Sequence, residues 1–250
     1  MNYKKPILSE LYCEFFLESS SLPTEGIFDV VPVLRGNGFS IVEIVTVPLP
    51  IQASIDVVPG QLPVRLSPGQ LPFGHRVRCW SEDKTSLVQV STDYVAMNKV
   101  GQYLGWPNIR AFMDHVWSLV RQSGINPRTR SISLTTIDQI QAPEEGFSVG
   151  KYLNCTEGKI IPRWLHESKG AVDLIIGKGA LEIEKLNRQI KLSVRPSSPS
   201  VNLRLESTFH NFLGDQSESD LLQQLHIEAS ESFEAMITEY TRQTVMEGVI

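Results

Sequence analysis

Residues 87–120 read LVQVSTDYVAMNKVGQYLGWPNIRAFMDHVWSLV, and the hydrophobic period changes within them. Through Val95 the side chains alternate, with Val88, Val90 and Thr92 on one side and Gln89, Ser91 and Asp93 on the other. That is the period of a strand with one wet face. From Pro107 the apolar positions become Ile109, Phe112, Met113, Val116, Trp117 and Val120, the three-and-four spacing of a helical stripe facing a core. Proline suits the first turn of a helix, where its missing N–H has no intrahelical partner to lose. Gly124 supplies the stop. A strand giving way to an amphipathic helix argues for an α+β chain.

The surroundings extend the same reading. Arg76–Trp80, the turn at Ser81–Thr85 and Leu87–Val95 form a hairpin pattern. Pro6–Phe16 reads as an opening strand, and Phe39–Val47 is β-branched enough for a second. Downstream, Ser131–Gln141 alternates, and Ala171–Ile176, Gln189–Val194 and Val201–Phe209 read as three further strands. Arg195–Ser200 is a turn-rich loop, and short helices are expected around 147–154 and 160–166. Asp215-Gln-Ser-Glu218 offers a capping box. After it Leu222, Leu225, Ala229, Phe233, Met236 and Tyr240 carry a helical stripe to the C-terminus, about 36 Å at 1.5 Å per residue.

The expected architecture is therefore α+β: antiparallel sheet or sheets, a mid-chain amphipathic helix, and a long C-terminal helix packed across the sheet. It forms one domain over 1–250, with 1–125 and 126–250 as the natural lobes. Segment 48–74 stands apart. Six prolines fall within it, and Pro-Gly-Gln-Leu-Pro occurs at 59–63 and again at 68–72. Proline cannot donate to a ladder, so this stretch reads as an extended loop or arm.

Composition excludes several classes. The chain has 23 Lys and Arg against 28 Asp and Glu, a formal charge of -5, with 41% hydrophobic residues. A disordered chain would be poorer in apolar residues, and a binder of nucleic acid by charge alone would be basic. Nucleic acid is therefore an unfavoured partner. The three cysteines, Cys13, Cys79 and Cys155, are odd in number and widely spaced, unlike a disulfide framework. The N-terminal apolar stretch is broken by Ser9, Glu10 and Glu14, which does not suit a signal peptide. No window is apolar for 18 residues, so no membrane association is expected. Cytoplasmic is the expected location.

No catalytic pattern stands out. Gly177-Lys-Gly179 follows an apolar run, but position 182 is Glu and no Ser or Thr follows a lysine there, so a hairpin turn explains it better than a phosphate loop. The serine elbow and the H-E-x-x-H motif are absent. His75, His115, His166, His210 and His226 are all far apart in sequence, which leaves metal binding a weak claim. Asp173, Glu182, Glu184 and Lys185 resemble a nuclease carboxylate set, but adjacent Glu184 and Lys185 would point to opposite strand faces. Arg76, Arg78 and Trp80 could stack a base; on an acidic chain they read better as a solvated face. No catalytic, cofactor-binding or metal-binding residue is assigned.

Several segments together resemble a sporadically distributed family of uncharacterised bacterial proteins of about this length. They are Pro6-Ile-Leu-Ser-Glu10, Leu87–Asp93, Asn98 with Tyr103-Leu-Gly-Trp106, and Ile137-Asp-Gln-Ile140 with Pro143. Tyr152-Leu-Asn154 follows, then Leu225-His226 with Phe233, Ile237 and Thr238. Where that family tends toward an arginine-rich strand ending Tyr-Ile-Asn, this chain has Thr135-Thr-Ile-Asp138. The Pro-Gly-Gln-Leu-Pro duplication is also this chain's own. The resemblance implies no activity. The family's scattered distribution implies genes carried in mobile or defence-type cassettes.

Two functional expectations follow. The first is a non-enzymatic accessory protein, antitoxin-like or immunity-like, binding a protein partner from the same gene cassette or a second copy of itself. Its contact residues would be Leu222, Leu225, Phe233, Met236 and Tyr240 on the terminal helix, with Leu62 and Leu71 in the proline-rich arm. The alternative is a small-molecule-binding or hydrolytic domain with a pocket between sheet and long helix. Tyr12, Trp80, Tyr94, Trp106 and Trp117 are the aromatic residues that could line it.

Overall fold

Alternation of the kind seen at 87–95 recurs along the chain and, among the described residues, builds nine antiparallel strands in one sheet. The structure, a computed structural model, describes residues 7–18, 22, 24–48, 73–101, 103–154, 172–180, 187–197 and 199–246. In order these form β1 (Leu8–Leu17), α1 (Thr24–Gly36), β2 (Ile41–Pro48), β3 (Phe73–Trp80), β4 (Ser86–Val90) and β5 (Tyr94–Val100). Next come α2 (Trp106–Gln122), β6 (Thr129–Pro143), the short α3 (Val149–Tyr152), β7 (Val172–Ala180), β8 (Asn187–Ser197) and β9 (Ser200–Phe212). The chain continues through α4 (Glu218–Met236) into a π-helical turn, Thr241–Met246. Strand order across the sheet is β2-β3-β4-β5-β1-β6-β9-β8-β7. The fold is α+β.

Register puts one apolar face together. Cys13 lies opposite Met97 and Leu134, and Phe15 opposite Val95 and Ile132. Leu134 in turn faces Phe209. Helices α1, α2 and α4 cover this face. The α2 stripe packs as its spacing requires: Ile109, Met113, Val116, Trp117 and Val120 are buried, and Phe112 lies against the same core. Trp117 stacks on Phe15 with ring centroids 4.7 Å apart. A second apolar cluster gathers Ile7, Ile140, Tyr152, Leu192, Leu203, Leu205, Met236 and Ile237 at the other end. Strands β6 and β9 contribute to both clusters, so the packing does not divide at 125/126.

Local details depart from the sequence reading, each for a physical reason. The stretch 87–95 is two strands, because the chain reverses at Ser91–Asp93, where Ser91 Oγ donates to Asp93 Oδ1 at 2.7 Å. Helix α1 carries Pro32 within it, and its buried Ile27, Val30 and Leu34 are too few to announce themselves past the flanking Pro and Gly. Gly177-Lys-Gly179 sits inside β7 beside a register shift between Ile175 and Lys178, so it marks a bulge rather than a hairpin turn. The Arg195–Ser200 loop is tighter than expected, since β8 and β9 pair out to Ser197 and Ser200. Helix α4 ends at Met236, giving it about 28 Å rather than 36 Å. Its cap is Ser217, whose side chain accepts from the Asp220 N–H at 3.1 Å. Residues 49–72, the helix expected at 160–166, and Cys155 lie outside the described residues.

Candidate pocket between the sheet and helix α4

The site begins with an irregularity in β1. Leu8 pairs with Asp138 and Glu10 with Ile137, so Ser9 is an extra residue in the ladder. Its hydroxyl donates to the Ile137 carbonyl at 2.9 Å, and its own carbonyl accepts from the Gly101 N–H at 2.8 Å. Bulges of this kind re-aim side chains and recur beside functional sites. Here the bulge joins β1, β6 and the loop entering α2 around Asp138.

That loop is set by glycine. Gly101 and Gly105 have φ of 99° and 89°, a region unfavourable to any residue with a Cβ. Between them Tyr103 and Leu104 fold back over β1. Trp106 then opens α2 and fastens it to α4: its indole stacks on His226 at 3.9 Å, nearly parallel, and donates Nε1–H to Gln223 Oε1 at 2.8 Å. Arg110 adds a second fastening, donating Nη2 to Ser219 Oγ at 2.6 Å.

The hollow enclosed by these elements has a volume of about 480 Å³, within the range of small-molecule sites. Ile7, just ahead of β1, Leu8 and Leu11 of β1, and Thr136 and Asp138 of β6 form its floor. Residues Tyr103–Pro107 make one wall, and His226, Ala229, Ser230, Phe233 and Glu234 of α4 the other, with Met246 closing one end. A neighbouring hollow of about 420 Å³ lies across Tyr103 and Leu104. It contains Lys99, which is held by Ser86 Oγ at 2.6 Å and lies over the Phe112 ring.

Asp138 dominates the larger hollow. It is 5% exposed, and no described side chain or backbone N–H donates a hydrogen bond to its carboxyl. Burial alone pushes this acid up to about 7, the response expected when a charge is withdrawn from water without a partner. Tyr103 feels it: burial first, then the Asp138 charge, raises the phenol. Beside it, Ser207 lies across from Thr136 on β9 and its buried Oγ also lacks a partner. On the opposite wall burial lowers His226 to about 4, so this ring is neutral near pH 7. Glu234 is tied to Arg242 at 3.1 Å.

The candidate residues from sequence divide clearly. Leu222, Leu225 and Met236 are 2%, 0% and 1% exposed, so they face this chain's own core and offer a partner no surface. Phe233 lines the pocket, and Tyr240 packs edge-on against Tyr152. Leu62 and Leu71 lie outside the described residues. Of the five aromatic residues expected around a pocket, only Trp106 lines this one. Trp117 is in the core, and Tyr12 and Tyr94 point to the other face of the sheet. Arg76 donates to the Tyr94 hydroxyl at 2.9 Å, and Arg78 sits 3.5 Å from Glu43 and over the Trp80 ring, so all three have intramolecular roles. Among the described residues no three His, Cys, Asp or Glu side chains gather to hold a metal. Among the described residues no helix is long and apolar enough to cross a membrane.

Sequence reasoning passed over Asp138, Tyr103 and His226 as chemistry. Ile7, Leu8, Tyr103–Trp106, Asp138, His226 and Phe233 all line this one hollow. Past the end of α4, Thr238 N–H donates to the Tyr152 carbonyl at 3.1 Å and Asn154 N–H to that of Met236 at 2.6 Å. No protein-family model matches the chain, and no curated protein matches it in sequence.

Proposed function

We propose that this protein binds a small molecule in the pocket between β1, β6 and helix α4. The observation that carries this reading is Asp138: a buried carboxyl with no hydrogen-bond partner among the described residues, on the floor of a hollow large enough for a ligand. Apolar walls with a few placed polar groups are the usual makeup of such sites. Binding is favoured over turnover because neither Thr136 nor Ser230 forms a hydrogen bond with His226 or Asp138, so the described lining residues assemble no activated nucleophile. This reading displaces the partner-protein one, whose helical stripe is largely buried.

The test is a plug at the mouth. Ser230 is exposed on α4 and lines the pocket, so Ser230→Trp should fill it without disturbing the core. Native mass spectrometry of protein purified gently from its host should show a bound small molecule in the wild type and none in the variant. Equal spectra from both, with or without a bound mass, would count against the pocket. A stable heteromer with a protein encoded beside it would return the partner reading to the front.

A further inference from the structure

Resting on that pocket as a ligand site, we infer that its ligand carries a cationic nitrogen, a protonated amine or amidine seated on the Asp138 carboxylate, with an apolar or aromatic body against Tyr103 and Phe233. The charge pattern argues for the sign. Among the described residues that line the hollow there is no Lys or Arg; Lys99 is in the neighbouring hollow and already held by Ser86. An anion would therefore meet an acid with no counter-charge among the described lining residues, whereas a cation supplies a partner that none of them gives Asp138. Helix dipoles do not decide the matter, because the N-terminus of α2 and the last turn of α4 both border the hollow with opposite partial charges.

Ligand size and type follow from the same surroundings. A divalent metal would need several oxygen donors, and Glu234, the other carboxylate there, is paired with Arg242. An organic cation needs one carboxylate and gains from aromatic rings close by, and Tyr103 and Phe233 are among the lining residues. Protonation supports the assignment. Burial holds Asp138 near 7, so an incoming cation displaces its proton. The other groups facing it are neutral or paired at that pH: Tyr103 from the α2 entry loop is raised, His226 from α4 is lowered to about 4, and Glu234 is held by Arg242 of the π-helical turn.

The experiment is calorimetric titration with tryptamine and benzylamine against their neutral counterparts, indole-3-ethanol and benzyl alcohol. The amines should bind the wild type at least about tenfold more tightly, the range of a charge-assisted hydrogen bond. Asp138→Asn should erase that preference and leave alcohol binding in place. In wild-type protein alone, titrations at pH 7 in buffers of different ionisation enthalpy should show proton release on amine binding. Amine and alcohol binding equally, or amine binding without proton release, overturns the cation assignment. If Ser230→Trp nevertheless abolishes binding of both, the pocket reading survives that failure. No binding of either class at millimolar concentration overturns both.

Discussion

Asp138 and His226 face one cavity and titrate in opposite senses. An unfolded aspartate titrates near 3.9, and burial raises Asp138 to about 7. Between those values the folded chain keeps a proton that the unfolded chain has released. Stability from this group therefore falls as pH rises, by about 1.4 kcal/mol per pH unit across the window, and stays lost above it. His226 runs the other way: it is lowered to about 4 against roughly 6.5 unfolded, so its contribution rises with pH between those values. Over about pH 4 to 6.5 the two offset each other. Relative to wild type, Asp138→Asn should gain stability as pH rises to 7, and urea unfolding at stepped pH will show it. His226→Phe, which keeps a ring on Trp106, should instead gain at pH 4 and lose that gain toward pH 6.5. Parallel profiles for the two variants would reject the opposed-pair account.

At the scale of elements, two short-range devices can be tested separately from the pocket. In the β3–β4 turn Asp83 accepts from Ser81 Oγ at 2.6 Å and from the Thr85 N–H at 3.0 Å, bonds that pull this acid down to about 2. The turn forces Lys84 to a φ of 56°, which a side chain resists. Lys84→Gly should raise stability by about 1 kcal/mol, read as a higher denaturation midpoint at unchanged slope. Ser217→Ala removes the α4 cap and should cost about 1 kcal/mol; a neutral result would mean α4 is held by its core residues alone. Both devices also show what a sequence discloses. Helix α2 and strand β6 were legible because their apolar periods are long, whereas the reversal at Ser91–Asp93 hides inside uninterrupted alternation. Asp138 was invisible for a related reason. It sits among Thr135, Thr136 and Gln139, an ordinary polar mixture, and only the bulge at Ser9 and the fold-back at Tyr103 turn it into the floor of a cavity.

Across the whole molecule the sheet ties two apolar clusters into one object. The first holds the packing of α1, α2 and most of α4, and the second lies around Tyr152, Leu203 and Met236. Thirteen consecutive pairs join β6 to β9 from Ser131–Phe212 to Pro143–Ser200, crossing from one cluster to the other, and the pocket floor includes Thr136 and Asp138 of β6. An opening of either cluster would have to fray that ladder through the site. The chain should therefore unfold as one cooperative unit, and the test uses probes at opposite ends. In a background with Trp80, Trp106 and Trp164 replaced by Phe, Trp117 fluorescence reports the first cluster, where the indole stacks on Phe15, while far-ultraviolet circular dichroism reports every strand. Ile140→Val, at a 4% exposed position in the second cluster, should cost about 1 kcal/mol and shift both transitions by the same amount. A shift in circular dichroism with Trp117 fluorescence unmoved would mean that the second cluster melts by itself. Asp138 would then sit at the boundary between independent lobes.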